Sequence, residues 1–399
     1  MRIAYVNADP GVPVFGTKGS SLHVREVIDG FMRAGAAVHL FASRTVAQIP
    51  AGWKKVHWHL LPELALAPRA QREQAALRAN ADLRHGLESC QAPFDLVYER
   101  YSLWSFAAME YARERGMAGV LEVNAPLIEE QKVYRGLSDE AGAEAAMHRA
   151  FAAATNIVAV SDEVARYVAD KVSAKQKIRV IPNAINPARF PTRLPPICAG
   201  TADSFTVGFV GSLRPWHGLA ALIEAFQQFY RACGAARLLI VGDGPERDAI
   251  SSNVQARGLT SATTLTGAVP LDLVPRYLAS MDLAIAPYPD LANFYFSPIK
   301  VYEYMAAGKA IVASRIGQLK TLIEHGVNGW HVPPGDTSAL ADAMLYLSKH
   351  RELRQRLGQA AREKVLQRHT WDHVVQQILE MAGLAGETQA INTLAPQTA

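Results

Sequence analysis

TVGFVGSLRPWHGLAALIEAF, residues 206–226, is the stretch from which the rest of the chain can be read. Residues 206–211 form an apolar run of strand length that ends at Gly211. The polar loop SLRPWH follows, and apolar residues at helical spacing begin at about Gly218. Strand, tight polar loop and helix in that order make half of a crossover between parallel strands. Downstream the rhythm repeats in RLLIVG (237–242), TTLTG (263–267), LAIAP (283–287) and AIVAS (310–314). Upstream it runs through RIAYV (2–6), VHLFA (38–42), DLVYE (95–99), GVLEV (119–123) and IVAV (157–160). Helical patterns near 22–34 and 103–115 stop at Gly35 and Gly116. Strands separated by helices predict α/β architecture, with parallel sheets covered on both faces.

One break interrupts the series. Prolines at 182, 187, 191, 195 and 196 cannot feed a central strand and favour an extended linker. The expected organisation is a first doubly wound domain over 1–186, a Pro-rich hinge over 187–204 and a second domain over 205–370. A C-terminal helix and frayed tail over 371–399 complete it. Such sheets bind ligands at the carboxyl ends of their strands, at a topological switch point, and two facing each other create a cleft.

Composition agrees. The 399 residues are 49% hydrophobic and 20% charged, enough for large cores and unlike a disordered or collagenous chain. The cysteines, Cys90, Cys198 and Cys233, form no CxxC pair, which argues against a thiolate zinc site and suits a reducing, cytoplasmic compartment. The amino terminus soon reaches Asp9, Pro10 and Gly11, unlike a signal peptide, and no apolar window is long enough to span a bilayer. A net charge of +4 is too mild for a nucleic-acid footprint. Residues 1–190 hold 23 Lys and Arg against 20 Asp and Glu, and 52–87 alone hold six against three. That segment therefore carries the excess of the first half. Trp53, Lys54, Lys55, Trp58, Arg69, Arg72, Arg78 and Arg84 lie in it. Tryptophan beside lysine suits peripheral contact with an anionic inner membrane face, and a solvated helix face with a loop is the plainer reading.

Four stretches offer chemistry. In ANFYFSPIKVYEYMAAGKAIVAS (292–314), Ser297 is a good N-cap, Pro298 suits the first helical position and Gly308 suits the helix stop. The helix amino terminus can hold a phosphate, which would account for Lys300 in a first turn where a cation otherwise opposes the dipole. Glu303 could accept hydrogen bonds from two vicinal ribose hydroxyls. The same pattern also fits an ordinary amphipathic helix. In 206–226, small residues at Gly211 and Ser212 let the backbone approach a ligand, and Arg214 and His217 could hold a diphosphate; a plain connection is the alternative. RLLIVGDGPERDAI (237–250) begins a GxG at Gly242 but has Arg247 where GxGxxG needs its last glycine, so a tight turn explains it equally. VNADPGVPVFGTKGSSLHVREVI (6–28) places Gly16, Lys18 and Gly19 in a loop before a helix, an anion site or a solvated loop. There is no DxD, HExxH or GxSxG, so neither a metal cage nor a hydrolase elbow is expected.

Together these phrases resemble glycosyltransferase family 4, the retaining, metal-independent transferases of the GT-B fold. The resemblance runs from Arg2 to about Trp371 and is carried by KGSSLHVREVIDGFMRAGAAVHLF, AVSDEVARYV, IRVIPNAINPARF, FVGSLRPWHGLAALIEAF, LLIVGDGPERDAI, LTGAVPLDLVPRYLASMDLAIAPY and VYEYMAAGKAIVAS. It implies two Rossmann-like domains. It also implies transfer of a sugar from a UDP- or GDP-sugar to a hydroxyl acceptor in glycan, lipid-linked saccharide or metabolite biosynthesis, with no metal or cofactor. Glu303 matches the second glutamate of the family's E-x7-E motif, on the donor ribose. Phe296, Ser297, Pro298 and Ile299 would offer backbone to the diphosphate and donor sugar. Val269 would touch the nucleobase through its backbone, and Gly16 and Gly19 would cover the phosphates.

The departures are specific. Tyr295 stands where the first glutamate of E-x7-E belongs, Ser212 where the family has arginine and His217 where it has lysine. Arg214 and Lys300 are the candidates to replace those charges, and both are expected to stabilise the leaving diphosphate. Asn124 stands where a histidine is common. With Lys18, Arg100 and Glu122 it forms the expected acceptor side, and Glu122 is an outside candidate for a nucleophile. An epimerase or phosphorylase of the same fold, an NAD-dependent dehydrogenase and a non-enzymatic binding protein are the competing readings.

Overall fold

The computed structural model describes residues 1–385 except 17, 44–48, 64–66 and 202. The expected frayed tail, from 386 onward, lies outside the described residues. Seven parallel strands form the first sheet: β1 (Arg2–Asn7), β2 (Ala37–Ala42), β3 (His57–Leu60), β4 (Leu96–Arg100), β5 (Ala118–Val123), β6 (Asn156–Ala159) and β7 (Ile178–Val180). Six form the second: β8 (Phe205–Val210), β9 (Ala236–Val241), β10 (Thr263–Leu265), β11 (Leu283–Ala286), β12 (Ala310–Ser314) and β13 (Trp330–Val332). The orders are β3-β2-β1-β4-β5-β6-β7 and β10-β9-β8-β11-β12-β13. Each chain path starts in the middle, winds to one edge and then returns to wind the other way. The switch points therefore lie between β1 and β4 and between β8 and β11.

The ten apolar runs read from the sequence all become strands. The short edge strands β3, β7 and β13 were not expected. Their sequences, HWHL, IRV and WHV, are only partly buried, so they lack the continuous apolar run that marks a central parallel strand.

The chain divides into two compact units. The first holds residues 1–182, 295–297 and the chain from 371 on; the second holds 183–294 and 298–370. This moves the expected boundaries. The proline-rich stretch 187–204 packs on the second unit, where the backbone N–H groups of Ile197 and Cys198 donate to Ser280 Oγ at 3.2 and 3.0 Å. The helix Trp371–Met381 is part of the first unit rather than a separate appendage. It lies on the helix Gly19–Arg33, with Arg33 Nε 2.7 Å from Asp372 Oδ1 and a Cβ at Gly30 only 2.6 Å from Val375. Trp371 is fully buried there and meets the His23 ring edge-on at 4.9 Å.

Candidate functional site

In the second unit the loops at the carboxyl edge of the sheet interlock through glycines. Gly242, after β9, has φ 135° and lies so close to the loop after β8 that a Cβ would come 2.0 Å from Gly211 O. Gly218 has φ 68°, and a Cβ there would strike Pro287 O at 1.7 Å. Side chains are excluded at both places by backbone, so the loops after β8, β9 and β11 meet as bare main chain. Leu213 N donates to Asp243 O at 3.0 Å and locks two of them together.

The helix Ile299–Ala306 points its amino terminus into this edge. Its N-cap position is Pro298, not Ser297 as expected, and no side chain caps it. Pro298 itself has extended backbone, φ −78° and ψ 101°, so the first helical residue is Ile299. Its first turn holds no acidic residue and keeps backbone N–H groups that no carbonyl within the helix can reach. The helix is fixed at its far face. Val210 N donates to Tyr304 Oη at 2.8 Å, and Tyr302 Oη donates to Gln318 at 3.0 Å.

Lys300, in the first turn, is buried. Its Nζ lies 4.3 Å from the centre of the Phe209 ring and 5.2 Å from that of Tyr288, and it has no hydrogen-bond partner. Burial depresses its ammonium well below the ordinary lysine value. A Cβ at Gly211 would come 3.1 Å from Nζ, so the glycine leaves the space the ammonium occupies. His217 sits among Phe209, Tyr288 and Trp216. Burial first, and then Lys300, push its imidazole down to about 2, so it is neutral at physiological pH. Its Nδ1 faces Ser212 O, which requires the proton on Nδ1 and leaves a lone pair on Nε2. His217 is thus tied into the loop 212–218 through Ser212 O. Arg214, partly exposed, lies over the Trp216 ring at 5.6 Å and remains the available guanidinium of that loop.

Glu303 is buried one turn further along the helix. Arg189 Nη1 donates to its Oε1 at 3.0 Å, and Arg189 Nη2 donates to Leu271 O at 2.7 Å. Burial raises the Glu303 carboxyl and Arg189 partly offsets this. Arg189 was not singled out in the sequence, although a signal was there. Asn186 Oδ1 accepts from Ala188 N at 3.1 Å and Pro187 opens the short turn Pro187–Arg189, a rigid device for aiming one side chain. Gly242 and the partly buried Val269 lie at the same carboxyl edge, in the connections after β9 and β10. Arg247 pairs with Asp243 at 3.7 Å across the turn after β9, which is a closed tight turn and not a dinucleotide fingerprint.

In the first unit, one face of the sheet is unusually polar. Tyr5 on β1 is directly opposite Tyr98 on β4, with rings 5.3 Å apart, and Arg100 on β4 is opposite Glu122 on β5. All four are buried. His23, from the helix Gly19–Arg33, contacts Glu122 Oε1 at 2.7 Å. Burial raises the Glu122 carboxyl, but His23, Arg100 and Asn124 outweigh it and hold the group below its ordinary value. Glu122 is thus ionised and tied, which removes the freedom a nucleophile needs. Tyr5 Oη, Tyr98 Oη, Arg100 Nε, Glu122 Oε2 and Asn124 Nδ2 are buried and lack a hydrogen bond of good geometry. Tyr98 and Asn124 instead lean on the Glu122 carboxylate, so the polar groups of this face form one buried electrostatic cluster. Lys18 is exposed at the N-cap of the helix Gly19–Arg33, and Gly16 N closes a turn onto Pro13 O at 3.0 Å.

Residues 295–297 group with this first unit, and the chain re-enters the second unit at Pro298. Tyr295 packs on the first core, offers no carboxylate acceptor and meets the Phe296 ring at 4.3 Å with a 38° tilt; its carbonyl accepts from Ser161 Oγ at 2.8 Å. Burial first, then Glu130 and Tyr134, raise its phenol. In the basic segment, Trp53 is 5% exposed and packs edge-on against Phe15 at 5.0 Å. Trp53 is therefore core and Trp58 is partly buried, while Lys54, Lys55, Arg69, Arg72 and Arg78 stay exposed and Arg84 pairs with Glu88 and Glu114 at 2.6 Å. No helix among the described residues is long and apolar enough to cross a membrane.

Known proteins match both halves. The family described as Glycosyltransferase Family 4 matches residues 17–189, and that described as Glycosyl transferases group 1 matches 204–350. The phosphatidyl-myo-inositol mannosyltransferase of Mycobacterium leprae is 31% identical over 225 residues, 56% of this chain and 58% of that protein. The chain spans about half the length of the curated relatives it matches. Sucrose-phosphate synthase from Thermosynechococcus elongatus superposes over 96% of this chain and 98% of its own with a TM-score of 0.73 at 20% identity. Anabaena HepE, solved in complex with UDP and glucose, covers 96% of this chain and 99% of its own with a TM-score of 0.68 at 19% identity. The two parallel-sheet units are those of the GT-B fold.

Proposed function

The chain belongs to glycosyltransferase family 4, and from that premise we propose that it transfers a sugar from a nucleoside diphosphate sugar to a hydroxyl acceptor. The observation that carries the reading is Lys300. A buried amine with no partner, beside an uncapped helix amino terminus, is costly unless a ligand supplies the anion. Diphosphate fits it. As the glycosidic bond breaks, negative charge grows on the leaving phosphate, and Lys300, Arg214 and the N–H groups of Ile299 and Lys300 stabilise it. These cations and helix donors do the work of charge neutralisation without a metal. The acceptor attacks from the same face, assisted by the leaving phosphate, which gives retention. Asn124 and the polar face around Glu122 hold acceptor hydroxyls. The nucleotide is a uridine or guanosine diphosphate, uridine being supported by the ligand of HepE.

A thermal-shift panel of UDP, GDP, ADP and CDP and their sugars tests this. The right nucleotide at 100 times its dissociation constant stabilises by about 2.7 kcal/mol. A panel with no response from any nucleotide removes the reading. Within the panel, Glu303→Gln should weaken the nucleoside diphosphate about 10-fold and leave inorganic diphosphate unaffected, because the carboxylate serves the ribose. Equal loss for both ligands would place Glu303 on the phosphates instead.

A further inference from the structure

We propose that His39, His59 and Cys90 form a binding site for one borderline-soft divalent cation of the Zn2+ class, completed by water. The three residues come from separate elements: β2, β3 and the residue pair that follows the helix Arg69–Glu88. Their ligand atoms lie within 4.8 Å of one another. His39 Nδ1 is 3.0 Å from His59 Nε2, and Cys90 Sγ is 4.0 Å from the same Nε2. Bond lengths of about 2.05 Å to nitrogen and 2.3 Å to sulfur in a tetrahedral shell put nitrogens about 3.3 Å apart and nitrogen and sulfur about 3.5 Å apart. These two separations bracket those values, and the third pair, His39 and Cys90, lies within 4.8 Å.

The surroundings prepare the set. The His59 ring stacks on Phe41 at 4.4 Å and 11°, and the His39 ring stacks on His57 at 4.5 Å and 16°, which fixes both planes. Burial, together with the neighbouring His57, holds both imidazoles below their ordinary value, His39 at about 4, so both are neutral ligands at pH 7. Cys90 comes just after the carboxyl end of a 20-residue helix, where the dipole favours a cation. Its thiol is raised by burial, which a bound cation reverses. His59 and Cys90 are only partly buried, which gives the ion a route in from solvent. One group opposes the ion: Arg2, whose Nη2 is 3.2 Å from His39 Nε2. The site is built on the β2–β3 edge, apart from the carboxyl-edge residues assigned to the acceptor. It ties an edge strand to a helix, and the role is structural.

Co2+ titration of the EDTA-treated full-length protein reads the site directly. We expect one Co2+ per chain, tetrahedral d–d bands and a thiolate-to-metal charge-transfer band, all displaced by Zn2+. Cys90→Ser should abolish the charge-transfer band with the circular dichroism unchanged. His59→Gln should weaken binding about 100-fold or more, and Arg2→Gln should tighten it. A wild-type protein without the charge-transfer band, or a band that survives in C90S, overturns the proposal. Neither result bears on nucleotide binding, which the thermal-shift panel reads separately.

Discussion

Replacing Lys300 by methionine should make the protein more stable and nearly inactive. The amine lies between Phe209 and Tyr288 with no partner, and methionine fills the same space with a polarisable thioether that packs on both rings. Removing an unsatisfied buried donor returns on the order of 1–3 kcal/mol. Removing the charge that meets the leaving diphosphate costs about 100- to 1000-fold in turnover, as for other single electrostatic donors. The pH dependence separates this from a packing effect. Burial depresses Lys300, so between its folded value and the ordinary lysine value the unfolded chain carries a proton that the folded chain lacks. Stability of the wild type therefore rises with pH across that window, up to about 10.4. Lys300→Met lacks that slope. Urea midpoints at pH 7 and 9, with donor turnover measured in parallel, check both halves. A variant that loses stability, or turns over within about threefold of wild type, contradicts the assignment.

The second large effect belongs to the first unit. Glu122→Ala should cost about 3–5 kcal/mol, because it leaves His23 and Arg100 buried without their shared carboxylate. The pH sign is opposite in origin. Glu122 is held below its unfolded value, so its contribution is fully present above about pH 4.3 and is lost as pH falls through the lower folded value. A double-mutant cycle with His23→Ala isolates the pair, and chemical denaturation at pH 7 measures it. A coupling energy below about 0.5 kcal/mol would show that the contact at 2.7 Å contributes geometry and not stability.

These two groups show how unevenly the site was legible. Lys300 and Glu303 were visible because their chemistry is local. A proline, a helix start and a cation in the first turn lie within four residues, and only the exact N-cap differed. Glu122 was visible as a residue but not as a bound one. Its partner His23 lies on another element, and Tyr5 and Tyr98 read as parts of apolar strands. Arg189 was missed for the same reason, since its partner Glu303 lies 114 residues away. A charge can be counted from sequence, but its desolvation and its partner cannot.

By itself the sequence determined the alternation of strands and helices, the two doubly wound units and the family, since each rests on periodicity, turn chemistry or motif within a few dozen residues. The tertiary structure alone decided the rest. It returned the helix Trp371–Met381 to the first unit and packed Tyr295 on the first core. It buried Trp53, one of the two tryptophans of the basic segment. It also brought His39, His59 and Cys90 together across 20 and 31 residues of chain. Parallel sheets place such residues side by side through long crossovers, so no sequence spacing could record it.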